Sequence, residues 1–320
     1  MEQDEIQYQR AVFLDTDWLG PDVSLEGLKQ LPLDWTLYPD TLPSEIIERM
    51  AGAQIAVGKY PLFTREVFQA LPSLQLICVA ATGVDCIDLE AAKEAGVAVC
   101  NAPGYSTFSV AQHVMLLMLT LSVNYSGQET ASGFFYGYPI RELKGKALGI
   151  IGFGNIGREV ARLAMTFGMK ILVAEHPDKP SSHGALPLDE VLRASDFITL
   201  HLPLKDSTRR LIGERELSLM KPTACLINTA RGGLIDEEDL AEALRKKMIA
   251  GAALDVLSQE PPPPDHPLMS ADVPNLILTP HIAWSSREAR MRLINIIEQN
   301  ISAFLRGGLM NEVIHQKMFQ

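Results

Sequence analysis

The feature that most constrains this chain is a rhythm: short β-branched runs alternate with amphipathic stretches along nearly its whole length. Strands that recur only after an intervening helix pair in parallel, because a parallel neighbour needs a long crossover. The chain therefore reads as an α/β protein. Strands are expected at 12–14, 35–38, 55–57, 74–81 and 97–100, with helices at 44–51, 64–71 and 89–95. The 74–81 run is continuously apolar, as in a strand buried on both faces. A long apolar helix is expected at 107–123, followed by an irregular segment at 124–138 rich in Gly, Ser and Tyr. A second series then begins, with strands at 147–151, 170–174, 197–202, 224–228, 250–256 and 276–279. Its helices are expected at 156–167, 188–194, 214–220 and 237–247.

With 320 residues the chain exceeds one ordinary core. Two domains are expected, each with a Rossmann-like parallel sheet. Residues 1–102 carry too few helices to cover both faces of their own sheet. A last helix, opening with a capping box at Ser285 and Glu288 and ending near Leu305 before Gly307-Gly308, would cover the open face. The expected organisation is thus a substrate domain of flavodoxin-like type, discontinuous over 1–102 and 285–320. A cofactor domain at 103–284 would be inserted into it.

Composition narrows the function. A net charge of −11 disfavours a nucleic-acid binder or a protein that docks on acidic membranes. Cys78, Cys86, Cys100 and Cys225 have no C-x-x-C spacing and sit in or beside apolar runs, which reads as reduced, packed thiols. The seven histidines do not cluster, so no metal site is expected. The first ten residues are polar and acidic, unlike a signal or transit peptide, and the apolar run 114–121 is too short to span a bilayer. A cytoplasmic location is expected.

Gly152-Phe153-Gly154-Asn155-Ile156-Gly157 lies between an apolar strand and an amphipathic helix. In that context Gly152 permits a tight turn, Gly154 lets a pyrophosphate approach the backbone, and Gly157 lets helix and strand pack closely. The helix N-terminus adds N–H donors and partial positive charge for phosphates. Glu175 follows at the end of the next strand. A carboxylate there accepts ribose hydroxyls and repels a 2′-phosphate, which favours NAD(H) over NADP, although His176 and Lys179 follow closely.

Reducing a carbonyl with a nicotinamide requires an acid for the developing alkoxide, a partner for that acid, and a cation to orient the substrate. Three residues past strand ends supply these types: Arg231, Glu260 and His281. Arginine grips a carboxylate with two prongs, histidine exchanges protons near neutral pH, and a neighbouring carboxylate fixes its tautomer. Trp284 could shape a substrate pocket or serve packing, and His113 reads as a packed or subunit-contact residue.

These strings carry a family resemblance. GFGNIG, NTARGGLID, the 255–261 segment and TPHIAW resemble the D-isomer-specific 2-hydroxyacid dehydrogenases, as do ATGVDCIDLEAAKEAG and GYSTFSVAQH. The resemblance spans about residues 53–306. It implies that Arg231 binds the substrate, His281 is the acid–base and Glu260 is its partner. Lys59, Gly83, Val84 and Trp284 would also contact the substrate. Thr82, Gly152, Gly154, Asn155, Ile156, Gly157, Glu175, Leu202, Thr229, Ala230, Asp255 and His281 would line the cofactor. A homodimer is implied, with the 107–123 helix in the contact. Within the family the strings are similar to glycerate dehydrogenases, also called hydroxypyruvate reductases. Gly58 and Lys59 stand where a phosphoglycerate dehydrogenase usually has an arginine. The implied reaction is NAD(H)-dependent reduction of hydroxypyruvate or glyoxylate, and its reverse. Alternatives are D-lactate, 3-phosphoglycerate or NADP-linked glyoxylate chemistry, or a non-enzymatic NAD-sensing regulator on the same fold.

Overall fold

The computed structural model describes residues 9–123, 140–178 and 184–314. The 124–138 segment read as irregular and Lys179 both lie outside the described residues. The chain begins with β1 (Gln9–Phe13), α1 (Glu26–Lys29), β2 (Leu33–Leu37), α2 (Ile46–Arg49), β3 (Ile55–Gly58) and α3 (Arg65–Ala70). It continues with β4 (Leu76–Val79), α4 (Leu89–Glu94) and β5 (Ala98–Cys100). Then come α5 (Thr107–Val123), β6 (Ala147–Ile151), α6 (Asn155–Thr166), β7 (Lys170–Val173), α7 (Leu188–Ala194) and β8 (Phe197–Leu200). The series ends with α8 (Glu214–Leu219), β9 (Cys225–Asn228), α9 (Glu237–Arg245), β10 (Gly251–Leu254), β11 (Leu276–Leu278) and α10 (Arg287–Leu305). Helix α1, a single turn, has no counterpart in the sequence reading because four residues are too few to display a helical period.

The elements form two compact units, Met1–Ser106 with Ser286–Gln320, and Thr107–Ser285. The first contains a five-stranded parallel sheet in the order β2-β1-β3-β4-β5, the flavodoxin-like order. Its strands β3 and β4 are buried throughout, as their unbroken apolar runs require. Helix α10 packs on β4 and α1 and so supplies the cover that the N-terminal helices lack. Asn300, fully buried on α10, locks this return: its Nδ2 donates to Asn101 O (2.9 Å) and its Oδ1 accepts from Asn311 Nδ2 (2.8 Å).

The helix cap differs from the expected one. Ser286, not Ser285, caps α10, its hydroxyl accepting from the Ala289 amide (3.2 Å). Ser285 is committed to the preceding turn, where its amide and hydroxyl both donate to Ile282 O, at 2.9 and 2.8 Å. An N-cap hydroxyl must face the first helical amides, and the Ser285 hydroxyl faces Ile282 O instead.

The second unit holds a six-stranded parallel sheet in the order β11-β10-β9-β8-β6-β7. Its core joins Ile151, Ile198, Leu200, Leu226, Leu240 and Leu254 among others, and α5 and α6 pack against each other. From β6 the chain steps outward to β7 and then back across to β8, so the strand order reverses between β6 and β8. Such a switch point opens a crevice at the carboxyl ends of the strands, where ligands bind in open α/β sheets.

Cys78, Cys100 and Cys225 are buried and Cys86 is half-buried, all four as free thiols. Burial pushes the Cys86 and Cys225 thiols up to about 11 and Cys100 to about 12, so they pack as inert apolar groups. Among the described residues no helix is long and apolar enough to cross a membrane. No group of three or more His, Cys, Asp or Glu side chains among them could hold a metal ion.

Candidate active site

The switch point of the second sheet is where the glycine motif lies. Gly152 directly follows β6 at φ +99°, a conformation that side chains rarely adopt. A Cβ there would also lie 2.6 Å from the His201 carbonyl group and 2.9 Å from Leu202 N, so the loops after β6 and β8 touch by backbone alone. At Gly157 a Cβ would fall 2.3 Å from Gly152 O, which is why α6 can start so close to the strand. At Gly154 nothing lies within 4 Å of such an atom, leaving open space before the first turn of α6. His201, beside this loop, is pushed down to about 3 by burial and is therefore neutral, bonded to Thr199 Oγ1 (3.0 Å).

These features fit a dinucleotide. Open space faces amides at the head of a twelve-residue helix, the arrangement that receives a pyrophosphate. Thr229, after β9, has a buried Oγ1 with no hydrogen-bond partner among the described residues, as expected of a hydroxyl awaiting a ligand. Gly152, Gly154, Asn155, Ile156 and Gly157 form the glycine turn, Leu202 packs into the core behind it, and Ala230 follows Thr229. Glu175 is exposed just past β7, its amide donating to Leu186 O (2.9 Å).

The chemistry-bearing side chains gather along the same edge. Glu260 Oε2 and His281 Nδ1 are 2.7 Å apart, and Glu260 Oε1 accepts from the Leu257 amide at 2.9 Å. Burial opposes ionisation of Glu260. The hydrogen bonds from His281 and the Leu257 amide, with the positive charges of His281 and Arg231, outweigh it and hold the carboxyl below its usual range. A carboxylate bound to Nδ1 keeps that nitrogen protonated and assigns proton exchange to Nε2.

Arg231 is presented by a rigid turn. Asn228, fully buried at the end of β9, donates from Nδ2 to Arg231 O (2.8 Å) and accepts at Oδ1 from the Ala230 amide (3.0 Å). The Arg231 guanidinium itself donates to Ala230 O at 2.8 Å. Sequence reasoning missed Asn228; its only signal is an amide side chain directly before the Thr229-Ala230-Arg231 turn.

His281 sits at φ +52°, a conformation costing a non-glycine residue on the order of 1–2 kcal/mol. Asp255 makes it tenable. Almost fully buried, it accepts from Thr279 Oγ1 (2.5 Å) and the Ile282 amide (3.0 Å) at Oδ1, and from the Ala283 amide (2.8 Å) at Oδ2. Both carboxylate oxygens are thus spent on the turn that follows His281. The family resemblance gave Asp255 a cofactor contact; in the structure its carboxylate also holds the turn after His281. His113 on α5 joins the same cluster, with Nε2 3.1 Å from Thr279 Oγ1 and 3.5 Å from Asp255 Oδ1. Burial lowers its pKa against the raising influence of Asp255. Trp284 is buried and its Nε1 donates to His281 O (2.9 Å), so the indole braces the backbone of His281.

In the first unit, four residues singled out from the sequence lie in the loops after β3 and β4. Val84 O accepts from the Ile87 amide (3.0 Å) in the turn that also contains Gly83. Thr82 Oγ1 donates to Ala102 O (2.9 Å), and Asn101 Nδ2 donates to Thr82 O (2.7 Å). Lys59 has its ammonium 5.6 Å from the Trp18 ring centroid and 5.4 Å from that of Tyr60. Its amide donates to both oxygens of Asp15 at 3.0 Å, and the Tyr60 amide donates to Oδ2 at 2.8 Å. Burial still dominates at Asp15 and pushes it up to about 6.

Two parallel sheets, a glycine turn at a switch point and a histidine–carboxylate pair beside an arginine define a nucleotide-binding oxidoreductase. Residues 113–283 match the NAD binding domain of the D-isomer specific 2-hydroxyacid dehydrogenases. The glycerate dehydrogenase of Methylorubrum extorquens is 41% identical, over 95% of this chain and 99% of that protein. The hydroxypyruvate reductase of Blautia hydrogenotrophica is 37% identical, over 93% and 95%. The crystal structure of D-lactate dehydrogenase from Aquifex aeolicus, complexed with NAD and lactic acid, superposes with a TM-score of 0.83 at 30% identity, covering 96% of this chain and 100% of that one. The chain belongs to the D-isomer specific 2-hydroxyacid dehydrogenase family and is an oxidoreductase acting on 2-hydroxy acids with a nicotinamide cofactor.

Proposed function

We propose that the protein reduces hydroxypyruvate to D-glycerate with NADH, acts on glyoxylate as a second substrate, and catalyses the reverse reactions. The observation that carries this reading is the 2.7 Å Glu260–His281 pair on the strand edge that also presents Arg231. When bound, the nicotinamide would supply or take up the hydride. Arg231 would hold the substrate carboxylate and the carbonyl oxygen, which a planar fork does better than an ammonium. His281 would give its Nε2 proton to that oxygen during reduction and take it back during oxidation. Glu260 would hold the Nδ1 proton throughout, keeping the imidazolium stable and Nε2 aimed. From the first unit, the Gly83 and Val84 amides and Lys59 are the proposed substrate contacts, and Thr82 a cofactor contact. Trp284 would shape the substrate side through its hold on His281.

Glu175 supports NAD(H) over NADP(H), because a carboxylate accepts ribose hydroxyls and repels a 2′-phosphate. The names of the glycerate dehydrogenase and hydroxypyruvate reductase relatives support the C3 substrate. A homodimer is also proposed. Phe108, Leu116 and Leu119 leave an exposed apolar stripe on α5, and light scattering on the purified protein tests the assembly. The deciding experiment is initial rates on hydroxypyruvate, glyoxylate and pyruvate with NADH and NADPH side by side. Hydroxypyruvate with NADH should give the highest kcat/KM. A preference for pyruvate or for NADPH would overturn the assignment.

A further inference from the structure

The loop that carries Glu260 is held by a second carboxylate with no part in the chemistry above. Glu237 opens α9 with its side chain 9% exposed. Its Oε1 accepts from the Ser258 amide (2.7 Å), and its Oε2 accepts from the Ser258 hydroxyl and from His266 Nε2 (3.0 Å). His266 Nδ1 in turn accepts from the Leu268 amide at 3.2 Å. That bond decides the tautomer: Nδ1 is an acceptor, so Nε2 carries the proton that Glu237 receives.

One carboxylate therefore joins Ser258, two residues before Glu260, to His266, six residues after it. Between them stand four consecutive prolines, 261–264, none of which has an N–H to donate. A stretch without donors cannot fix itself through its own amides, so its ends must be fixed. The clamped segment also abuts the substrate arginine. A Cβ at Gly232, next to Arg231, would lie 1.9 Å from Leu257 C and 2.2 Å from Ser258 N. A buried carboxylate is tolerated only when its lone pairs are satisfied. Here three donors satisfy it, and two of the three belong to Ser258.

We infer that Glu237 is a positioning residue, which through Ser258 and His266 fixes Glu260 against His281. The inference rests on the assignment of His281 as the acid–base residue. Glu237→Gln keeps the shape and can accept from the Ser258 amide, but its NH₂ confronts the Nε2–H of His266. The first measurement needs no substrate: NMR of histidine-labelled protein, with the His281 Nδ1 proton assigned by its loss in His281→Asn. In Glu237→Gln that signal should broaden or move, as it does in Glu260→Gln. The second is steady-state kinetics with hydroxypyruvate and NADH. There kcat should fall about tenfold, with KM for NADH changed less than about twofold. The same substitution in a Glu260→Gln background should lower kcat by less than about twofold, because the positioned group is already gone. Ser258→Ala, which leaves the buried pair intact, should show the same pattern at smaller size and serves if Glu237→Gln fails to fold. An unchanged His281 proton signal would overturn the inference. So would equal kcat losses in both backgrounds, which would mark a merely structural residue. Absence of turnover in the unmodified protein would instead sink the proposed reaction, while the NMR comparison still decides the clamp.

Discussion

Two histidine–carboxylate pairs stand in the second unit, and their surroundings divide their work. In His266–Glu237 the side chains are 6% and 9% exposed, and both ring nitrogens of the histidine are engaged. In His281–Glu260 they are 39% and 37% exposed, and the carboxylate takes only Nδ1. The chemical groups are the same. A histidine with both nitrogens bonded inside the protein can only hold, whereas one with a nitrogen left toward solvent can exchange a proton. Access and spare valence, more than residue type, separate the proposed acid–base pair from the supporting one.

The strongest way to break this comparison is to remove each histidine in turn. His281→Ala should lower kcat about 10²–10⁴-fold with NADH binding retained, measured by steady-state rates and fluorescence titration. Near-normal turnover would mean that the exposed pair is not the acid–base pair. Removing only the partner is milder: Glu260→Gln should lower kcat about 10–10²-fold, because Gln can still contact Nδ1 but no longer stabilises an imidazolium. His266→Ala should act chiefly on stability. It leaves Glu237 buried and one donor short, a cost of about 1–3 kcal/mol, read as a lower Tm in a thermal melt. A larger loss of activity than in Glu260→Gln would erase the proposed division of labour.

A buried carboxylate with no histidine sharpens the contrast. Asp15 is raised to about 6 from 3.8 by burial, whereas Glu260 lies below its usual range. A group whose folded-state pKa is raised contributes stability that is fully present below its unfolded pKa and is lost as pH rises through the folded value. Protection of β1 and β3 against hydrogen exchange should therefore increase as pH falls from about 7 to about 4, after correction for the intrinsic exchange rate. Asp15→Asn should flatten that trend. A trend of the same steepness in the variant would show that another group is responsible.

Much of the architecture was legible because period and punctuation are local properties. The 107–123 helix and the 147–151 strand were read at the ends the structure gives them, α5 at Thr107–Val123 and β6 at Ala147–Ile151. The cap of α10 was misplaced by one residue because two serines stand in a row, and only the Ile282 turn decides which is already occupied. Arg231, Glu260 and His281 could be singled out because each follows a strand end in a nucleotide-binding pattern. The pairing of Glu260 with His281 came only from the family resemblance, because residue spacing alone does not show a 2.7 Å bond across 21 residues. The hydrogen-bonding roles of Asp255, His113 and Glu237 stayed hidden for the same reason. Their tasks are hydrogen bonds to partners remote in the chain, and an isolated polar residue in a sequence carries no mark of its partner.

The sequence by itself determined the parallel sheets, the glycine turn and the chemical types available at strand ends, since these follow from side-chain periodicity, backbone freedom and ionisable groups. Only the tertiary structure decided the hydrogen bonds that fix each carboxylate in place. Asp255 was bound to the turn after His281, Glu260 to the ring itself, and Glu237 to the second histidine. The physical reason is that hydrogen bonding is directional and short-ranged. Its pattern exists only once folding has brought distant residues within about 3 Å of one another.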